Sequence, residues 1–507
     1  MLKKSLSVIL VFIMLVSLYA VAHADIRTSG LYTYEFKGNG TLRITDFDWN
    51  NNSVDIYIPS MIDGYEVAII GEHAFELGEN EKASDVIITL PNTIKTIEEF
   101  AFLNAPVTAI NIPLNTTIIE KGALLVTPSS KQVNFNVASG HTTFATIDGV
   151  LYNKTKRELV AYPINDTLEF EVPKGIVSIG DYAFWNWHSI KKIVLPDTVV
   201  SIGEYAFYNN SLLGEGGCTI EIPNTIQTIG EYAFSNVYMY ATDSQVRSAV
   251  EKALTIPTSL KAIPAHAYED SVIRDGIISI PNGVGAIGEY AFYNNCNHLN
   301  IAKSKFEAAI QMIEIPGSVK SVGKYAFAFS TDDYDANPNY KLKKIIIRSG
   351  VESLGEGAFE NTKPQEEVII EEGLKDIGDN CFRNCKGSGI ADITIPGTVA
   401  TIGAGAFENS SVTKVIIGEG TKTLGANCFK GCYNLTITLP STISSIPTDA
   451  FERTTTRLIV TEGSYAETYA IENGITYQYN QGEDDTSWLF GDVETTETED
   501  STDWLNP

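Results

Sequence analysis

Four cysteines stand in two matched pairs, Cys381-x-x-x-Cys385 and Cys428-x-x-x-Cys432, and paired thiolates are natural metal ligands. Zinc pairs normally have tighter spacing, and no histidine completes a ligand set here. Ala206 and Ala233 take the place of Cys381 and Cys428 in related segments, so these thiols read as small apolar core residues. With Cys218 and Cys296 the chain holds 6 cysteines in 507 residues, which implies no disulfide framework. Six histidines, His23, His73, His141, His188, His266 and His298, fall at unrelated positions and read as surface or turn residues. Asp332, Asp333 and Asp335 could hold calcium, but the Gly and distant Glu of an EF-hand loop are missing, so they read as a solvated loop. The sequence shows no nucleophile elbow, zincin motif or phosphate loop. It therefore implies no metal, no cofactor and no enzymatic activity.

A second set of residues suits contact rather than catalysis. Tyr208, Tyr238, Tyr240, Tyr293, Tyr334 and Tyr340 lie in segments of variable length that follow Phe207, Phe234, Phe292 and Phe327. Loops on a rigid frame are where binding residues concentrate, and tyrosine is enriched in interfaces. Ile346, Ile369 and Ile416 occupy a strand position that is polar in most related segments, which predicts an exposed apolar patch. Trp488-Leu489 and Trp504-Leu505 repeat a Trp-Leu pair in an acidic C-terminal stretch, where paired anchors could dock a partner.

These residues are positioned by a repeat. An apolar residue, usually proline, is followed after eleven residues by an aromatic residue, usually preceded by alanine: Pro196 to Phe207, Pro223 to Phe234, Pro281 to Phe292, Pro396 to Phe407. Fourteen copies run from Ile58 to Phe451; the first, Pro59 to Phe75, is longer, and Arg348, Glu371 and Gly418 replace the proline in three. Units this short cannot bury an apolar face alone and must stack on one another as a solenoid. Within one unit, Ile193 and Leu195 alternate with Lys192 and Val194, the period of a half-buried strand. Pro196 ends that strand. Val199, Ile202 and Ala206 fall at helical spacing, which predicts a short helical or 3₁₀ turn over the inner layer. Ten of the fourteen units carry Gly four residues before the aromatic, suggesting a close backbone approach or a positive φ. The expected fold is an elongated, curved, β-rich solenoid with short helices.

The segments IPNTIQTIGEYAF, LPDTVVSIGEYAF and IPGTVATIGAGAF resemble the BspA-type leucine-rich repeats of bacterial surface and secreted proteins. IDGVLYNKTKRELVAYP resembles a hairpin variant of those repeats, and GSYAETYAIENGITY resembles their closing unit. The resemblance spans about Tyr32 to Tyr479 and implies a scaffold used for adhesion to host or microbial partners, without naming a ligand.

The expected organisation is a signal peptide at 1–24, an N-terminal cap at 25–52, repeats at 53–456 with a hairpin at about 144–163, a C-terminal cap at 457–480 and an acidic disordered tail at 481–507. Lys3 and Lys4, the apolar run Leu6 to Val21 and the small-residue exit Ala22-His23-Ala24 carry the first assignment and predict export, to the medium or the cell surface. No later stretch is apolar enough to span a bilayer. The formal net charge of -27 opposes nucleic acid and anionic lipid as partners. The reading that results is a binding or adhesion protein with a protein or glycan ligand. Its alternatives are a spacer that displays the Trp-Leu tail and an enzyme with a dispersed site.

Overall fold

Most of the described repeats contribute two parallel strands to two separate ladders. The structure, a computed structural model, describes residues 26–49, 55–78, 83–127, 132–163, 167–187, 190, 192–210, 219–237, 254–271, 277–295, 311–330 and 342–480. Residues 1–25, expected to hold a signal peptide, the acidic C-terminal stretch with Trp488, Leu489, Trp504 and Leu505, and residues Asp332, Asp333 and Asp335 lie outside them. The first ladder takes the strand that precedes the proline, for example Lys192–Val194, with Ile193 level with Phe170 on one side and Ile220 on the other. The second ladder takes a two-residue strand after the proline turn, such as Ser201–Ile202, paired to Ser178–Ile179 and Thr228–Ile229.

That second strand replaces the helical turn expected between the proline and the aromatic. Apart from turn bonds such as Val199 N to Pro196 O at 3.0 Å, the backbone donors there run between repeats. Gly203 N donates to Ile179 O at 2.9 Å, Tyr205 N to Glu231 O at 3.0 Å and Phe207 N to Ala233 O at 2.8 Å. With alternate N–H groups committed sideways, no i to i−4 ladder can form. Among the described residues, helix is confined to one 3₁₀ turn, Ser388–Ile390, and one α-helix, Tyr465–Asn473. The repeated glycine serves close approach: a Cβ on Gly203 would lie 2.5 Å from Asp181 N and 2.7 Å from Gly180 C. The positive φ falls two residues later, at Tyr205, with φ 52°.

The repeat aromatics form one buried column. Phe184, Phe207, Phe234, Tyr268, Phe292, Phe327, Phe359, Phe382, Phe407, Phe429 and Phe451 stack in that order. Centroid spacing runs from 5.1 Å, Phe184 to Phe207, to 5.9 Å, Phe429 to Phe451. Phe75 and Phe102 begin the same column, and Leu124 interrupts it. At one end Phe47 and Trp49 pack on Phe75. At the other, Tyr469 of the helix meets Phe451 edge-on at 6.2 Å. Ser464 caps that helix by accepting from Glu467 N, and Gly474 closes it at φ 66°.

The hairpin variant is a three-stranded meander of Phe144–Ile147, Val150–Asn153 and Glu158–Ala161. Asp148 and Gly149, at φ 50° and 80°, give the two left-handed residues that a tight Asp-Gly hairpin turn needs. Its last strand rejoins the second ladder by pairing with Ser178–Ile179. The buried apolar side chains divide at this point, one group running from Tyr34 to Leu151 and the other from Val150 to Ile475.

Candidate functional site

The residue two before each column aromatic sits in the left-handed region, at a corner of the coil. In one run of repeats this corner is aromatic: Tyr182, Tyr205, Tyr232, His266, Tyr290 and Tyr325, all with φ between 52° and 58°. Their rings stack across repeats at 4.9, 4.6, 4.2, 5.0 and 5.2 Å. The first four contacts are parallel within 9°. Phe100 adds an edge-on ring at 5.3 Å from Tyr182. All six stacked residues are half-buried, so a second aromatic column runs beside the first, this one at the surface.

Stacked rings cover one another's faces and leave edges and phenol oxygens outward. Carboxylates border them. Tyr325 Oη donates to Glu356 Oε1 at 3.2 Å, and Lys324, paired to Glu356 at 2.9 Å, lies 5.4 Å from the Tyr325 ring centre. His266 Nδ1 meets Glu269 Oε2 at 2.7 Å. Burial first, and then neighbouring carboxylates and phenols, raise the phenols of Tyr182, Tyr205 and Tyr232. Burial, and then the carboxylates of Glu360 and Glu356, push Tyr325 up to about 12. The ladder is therefore a row of phenol hydroxyls kept neutral by burial, interrupted by the imidazole of His266 and bordered by carboxylates.

Of the tyrosines expected at the site, Tyr208 and Tyr293 stand beside the ladder, edge-on to Tyr205 at 5.3 Å and to Tyr290 at 5.2 Å. Tyr238, Tyr240, Tyr334 and Tyr340 lie outside the described residues. The isoleucine patch is only partly exposed. Ile416 is 40% exposed and Ile369 is half-buried, but Ile346 is buried at 8%. Ile346 is level with Glu314 and Ile369. Arg348, two residues along the same face, reaches Glu314 and Glu371 at 2.8 Å each and spans the strands around it. The ladder itself escaped the sequence reading, although its signal is the tyrosine of the GEYAF, GDYAF and GKYAF segments.

The profile of the BspA type leucine rich repeat region, in 6 copies, matches residues 45–156, 161–295, 247–332 and 333–458. The chain belongs to this family. Curated proteins include no match to it. A leucine-rich repeat protein from Bacteroides ovatus is 19% identical, with 90% of this chain and 100% of that one covered and a TM-score of 0.39. A leucine rich cell surface protein from Faecalibacterium prausnitzii is 19% identical, over 89% and 99% of the two chains, with a TM-score of 0.37. The pneumococcal vaccine antigen PcpA is 16% identical, over 90% and 99%, with a TM-score of 0.43.

In this BspA-type chain the paired cysteines line the column. Cys381, Cys385, Cys428 and Cys432 are free and buried. Cys385 Sγ lies 3.2 Å from Thr362 Oγ1, Cys432 Sγ lies 3.4 Å from Ser410 Oγ, and burial pushes the Cys385 thiol up to about 12. No cluster of three or more His, Cys, Asp or Glu suited to a metal occurs among the described residues. The histidines are less scattered than their sequence positions suggest. His73 and His266 both occupy the left-handed corner, and His141 is buried, its Nδ1 facing the Thr143 and Phe144 amides at 3.1 Å each.

Proposed function

We propose that this protein is an exported, non-enzymatic binding or adhesion protein whose contact surface is the aromatic corner from Tyr182 to Tyr325, together with Tyr208 and Tyr293. Export rests on the Met1 to Ala24 segment. The observation that carries the contact surface is the choice of residue. The corner needs only a left-handed backbone, and the chain itself uses Gly357, Asn380, Gly405 and Asn427 at equivalent places. A bulky residue at positive φ is disfavoured, so five tyrosines and a histidine there are not explained by the fold alone. They give a rigid row of large side chains with little freedom left to lose on binding. The acidic border favours neutral glycans or basic proteins over anionic ones.

The test replaces Tyr205, Tyr232 and Tyr290 together by Asn, the residue that the solenoid accepts at Asn380 and Asn427. Wild-type and triple-variant chains are compared on a neutral glycan array and a panel of immobilised basic proteins. The variant is expected to stay folded and lose the wild-type signals. A folded variant with the full wild-type profile overturns this surface. If binding instead disappears in a chain ending at Asn480, the protein is a spacer for the Trp-Leu tail.

A further inference from the structure

Among the described residues, the second ladder is interrupted beside Ile118–Ile119. Ile118–Ile119 pairs with Thr96–Ile97 on one side, and no described strand pairs with its other edge. The next strand of the stack, Glu158–Ala161, belongs to the hairpin and pairs elsewhere. Between them lies a half-open cleft of about 560 Å³. The break shows in burial. The second-strand isoleucine, valine or leucine equivalent to Ile119 is at most 7% exposed in the other repeats, whereas Ile119 is half-buried and Ile118 is 49% exposed. The size is that of a small-ligand site.

We propose that this cleft binds a basic peptide side chain, with the guanidinium or ammonium group at Glu158 and Asp181 and the stem over Ile119, Val160 and Trp185. The walls fit that chemistry in three ways. Half-buried apolar side chains, Leu125 and Trp185 among them, offer surface for an alkyl stem and an aromatic ring for a cation. Four carboxylates, Glu99, Glu120, Glu158 and Asp181, face two lysines, Lys121 and Lys156. Those lysines compensate incompletely. Lys121 is shared with Glu204 at 3.2 Å and Glu99 at 3.6 Å, and Lys156 lies 3.8 Å from Glu158 with its side chain 70% exposed. Burial raises the carboxyl groups of both Glu158 and Asp181, and a bound cation would relieve that cost. An arginine fork fits a pair of carboxylates better than a point charge does. This site does not depend on the tyrosine corner, although Tyr182 touches both.

The probe is acetyl-Leu-Arg-amide, titrated into the full chain by calorimetry and compared with acetyl-Leu-citrulline-amide and acetyl-Leu-Glu-amide. Citrulline keeps the shape of arginine without its charge. The arginine peptide is expected to bind at least about tenfold more tightly than the citrulline peptide, the worth of one charged hydrogen bond, with no binding of the glutamate peptide. Glu158→Gln with Asp181→Asn should remove that preference. Lys156→Gln, a change at an exposed side chain that leaves Glu158 without its lysine, should tighten the arginine peptide several-fold. Affinity should fall as pH falls through the raised carboxyl range, because protonation of Glu158 and Asp181 removes the charge that Lys121 and Lys156 leave unmet. Equal binding of the arginine and citrulline peptides, no binding of either, or weaker binding in Lys156→Gln overturns the proposal. The Tyr205, Tyr232 and Tyr290 variant should bind the probe as the wild type does, which separates this site from the proposed contact surface.

Discussion

From Tyr182 to Tyr325 the corner of the solenoid carries stacked rings; from Gly357 to Asn427 the same corner carries Gly357, Asn380, Gly405 and Asn427. The backbone is alike in both, with φ of 52° to 58° in the first run and 56° to 62° in the second. The buried phenylalanine column passes through both without change of spacing. A side chain other than Gly or Asn at positive φ costs about 1–2 kcal/mol, and an aromatic pair returns about 0.5–1.5 kcal/mol beyond the area it buries. The two runs therefore differ little in stability and greatly in surface chemistry. The column is what the fold requires, and the ladder is an addition on one stretch of it.

The largest effect should come from the column and should ignore the difference between the runs. Phe292→Ala, in the aromatic run, and Phe382→Ala, in the glycine and asparagine run, should each cost about 3–5 kcal/mol by opening a cavity between repeats. Loss of protection in amide exchange should spread over neighbouring repeats in both, as expected of a quasi-one-dimensional array. A cost confined to one of the two variants would mean that the ladder shares the structural burden. The junction should give the next largest effect. A Cβ at Gly357, where φ is 60°, would lie 2.1 Å from a ring carbon of Tyr325. Gly357→Ala should lose about 1–3 kcal/mol through ring displacement and backbone strain. Tyr325→Asn should restore part of that loss, giving a coupling energy in a double-mutant cycle. Strictly additive costs would place the strain in the backbone alone.

How much of this was legible follows from what a one-dimensional pattern encodes. The column was readable because Phe207, Phe234 and their equivalents recur at fixed offsets, and burial of Cys381 and Cys428 followed from the alanines they replace. The helical reading of Val199, Ile202 and Ala206 failed because inward spacing does not reveal where N–H groups go; here most of those between Pro196 and Phe207 cross to a neighbouring repeat. The ladder was hidden for the same cause. Tyr205 points outward in stacking register only because it adopts φ 52°, which the sequence does not announce for a tyrosine. Ile346 was placed on the correct strand, but the reach of Arg348 to Glu314 and Glu371 is a property of neighbouring strands. The cleft was invisible because it arises where the hairpin fails to pair with Ile118–Ile119.

A smaller effect separates stability from binding. Tyr232→Asn should change unfolding free energy by less than about 1 kcal/mol, since relief at positive φ offsets the lost stacking. Denaturant midpoints would measure it. A loss comparable to that of Phe292→Ala would make the ladder structural and remove the reason for reading it as a contact surface.

The smallest effect is a pH response that sets the aromatic run apart from the glycine and asparagine run. The phenols of Tyr182, Tyr205, Tyr232 and Tyr290 are raised, and Tyr325 is pushed up to about 12, with burial as the largest cause in each. A raised phenol favours the folded state while it stays neutral. Its contribution is complete below about pH 10, where an unfolded tyrosine also holds its proton. It is lost as pH climbs through the folded value, because the unfolded chain ionises first and binds fewer protons there. Repeats from Tyr182 to Tyr325 should thus begin to loosen above about pH 10, while those from Gly357 to Asn427 have no corner phenol to ionise. Ultraviolet titration should show a late tyrosine class that moves to ordinary values in urea. The Tyr205, Tyr232 and Tyr290 to Asn variant should lose three tyrosines from that class, which also holds Tyr152, Tyr268 and Tyr469 outside the corner, without gaining alkaline lability. Simultaneous ionisation of all tyrosines near pH 10 in the folded chain would show that the ladder is open to water, and the contrast between the two runs would then rest on shape alone.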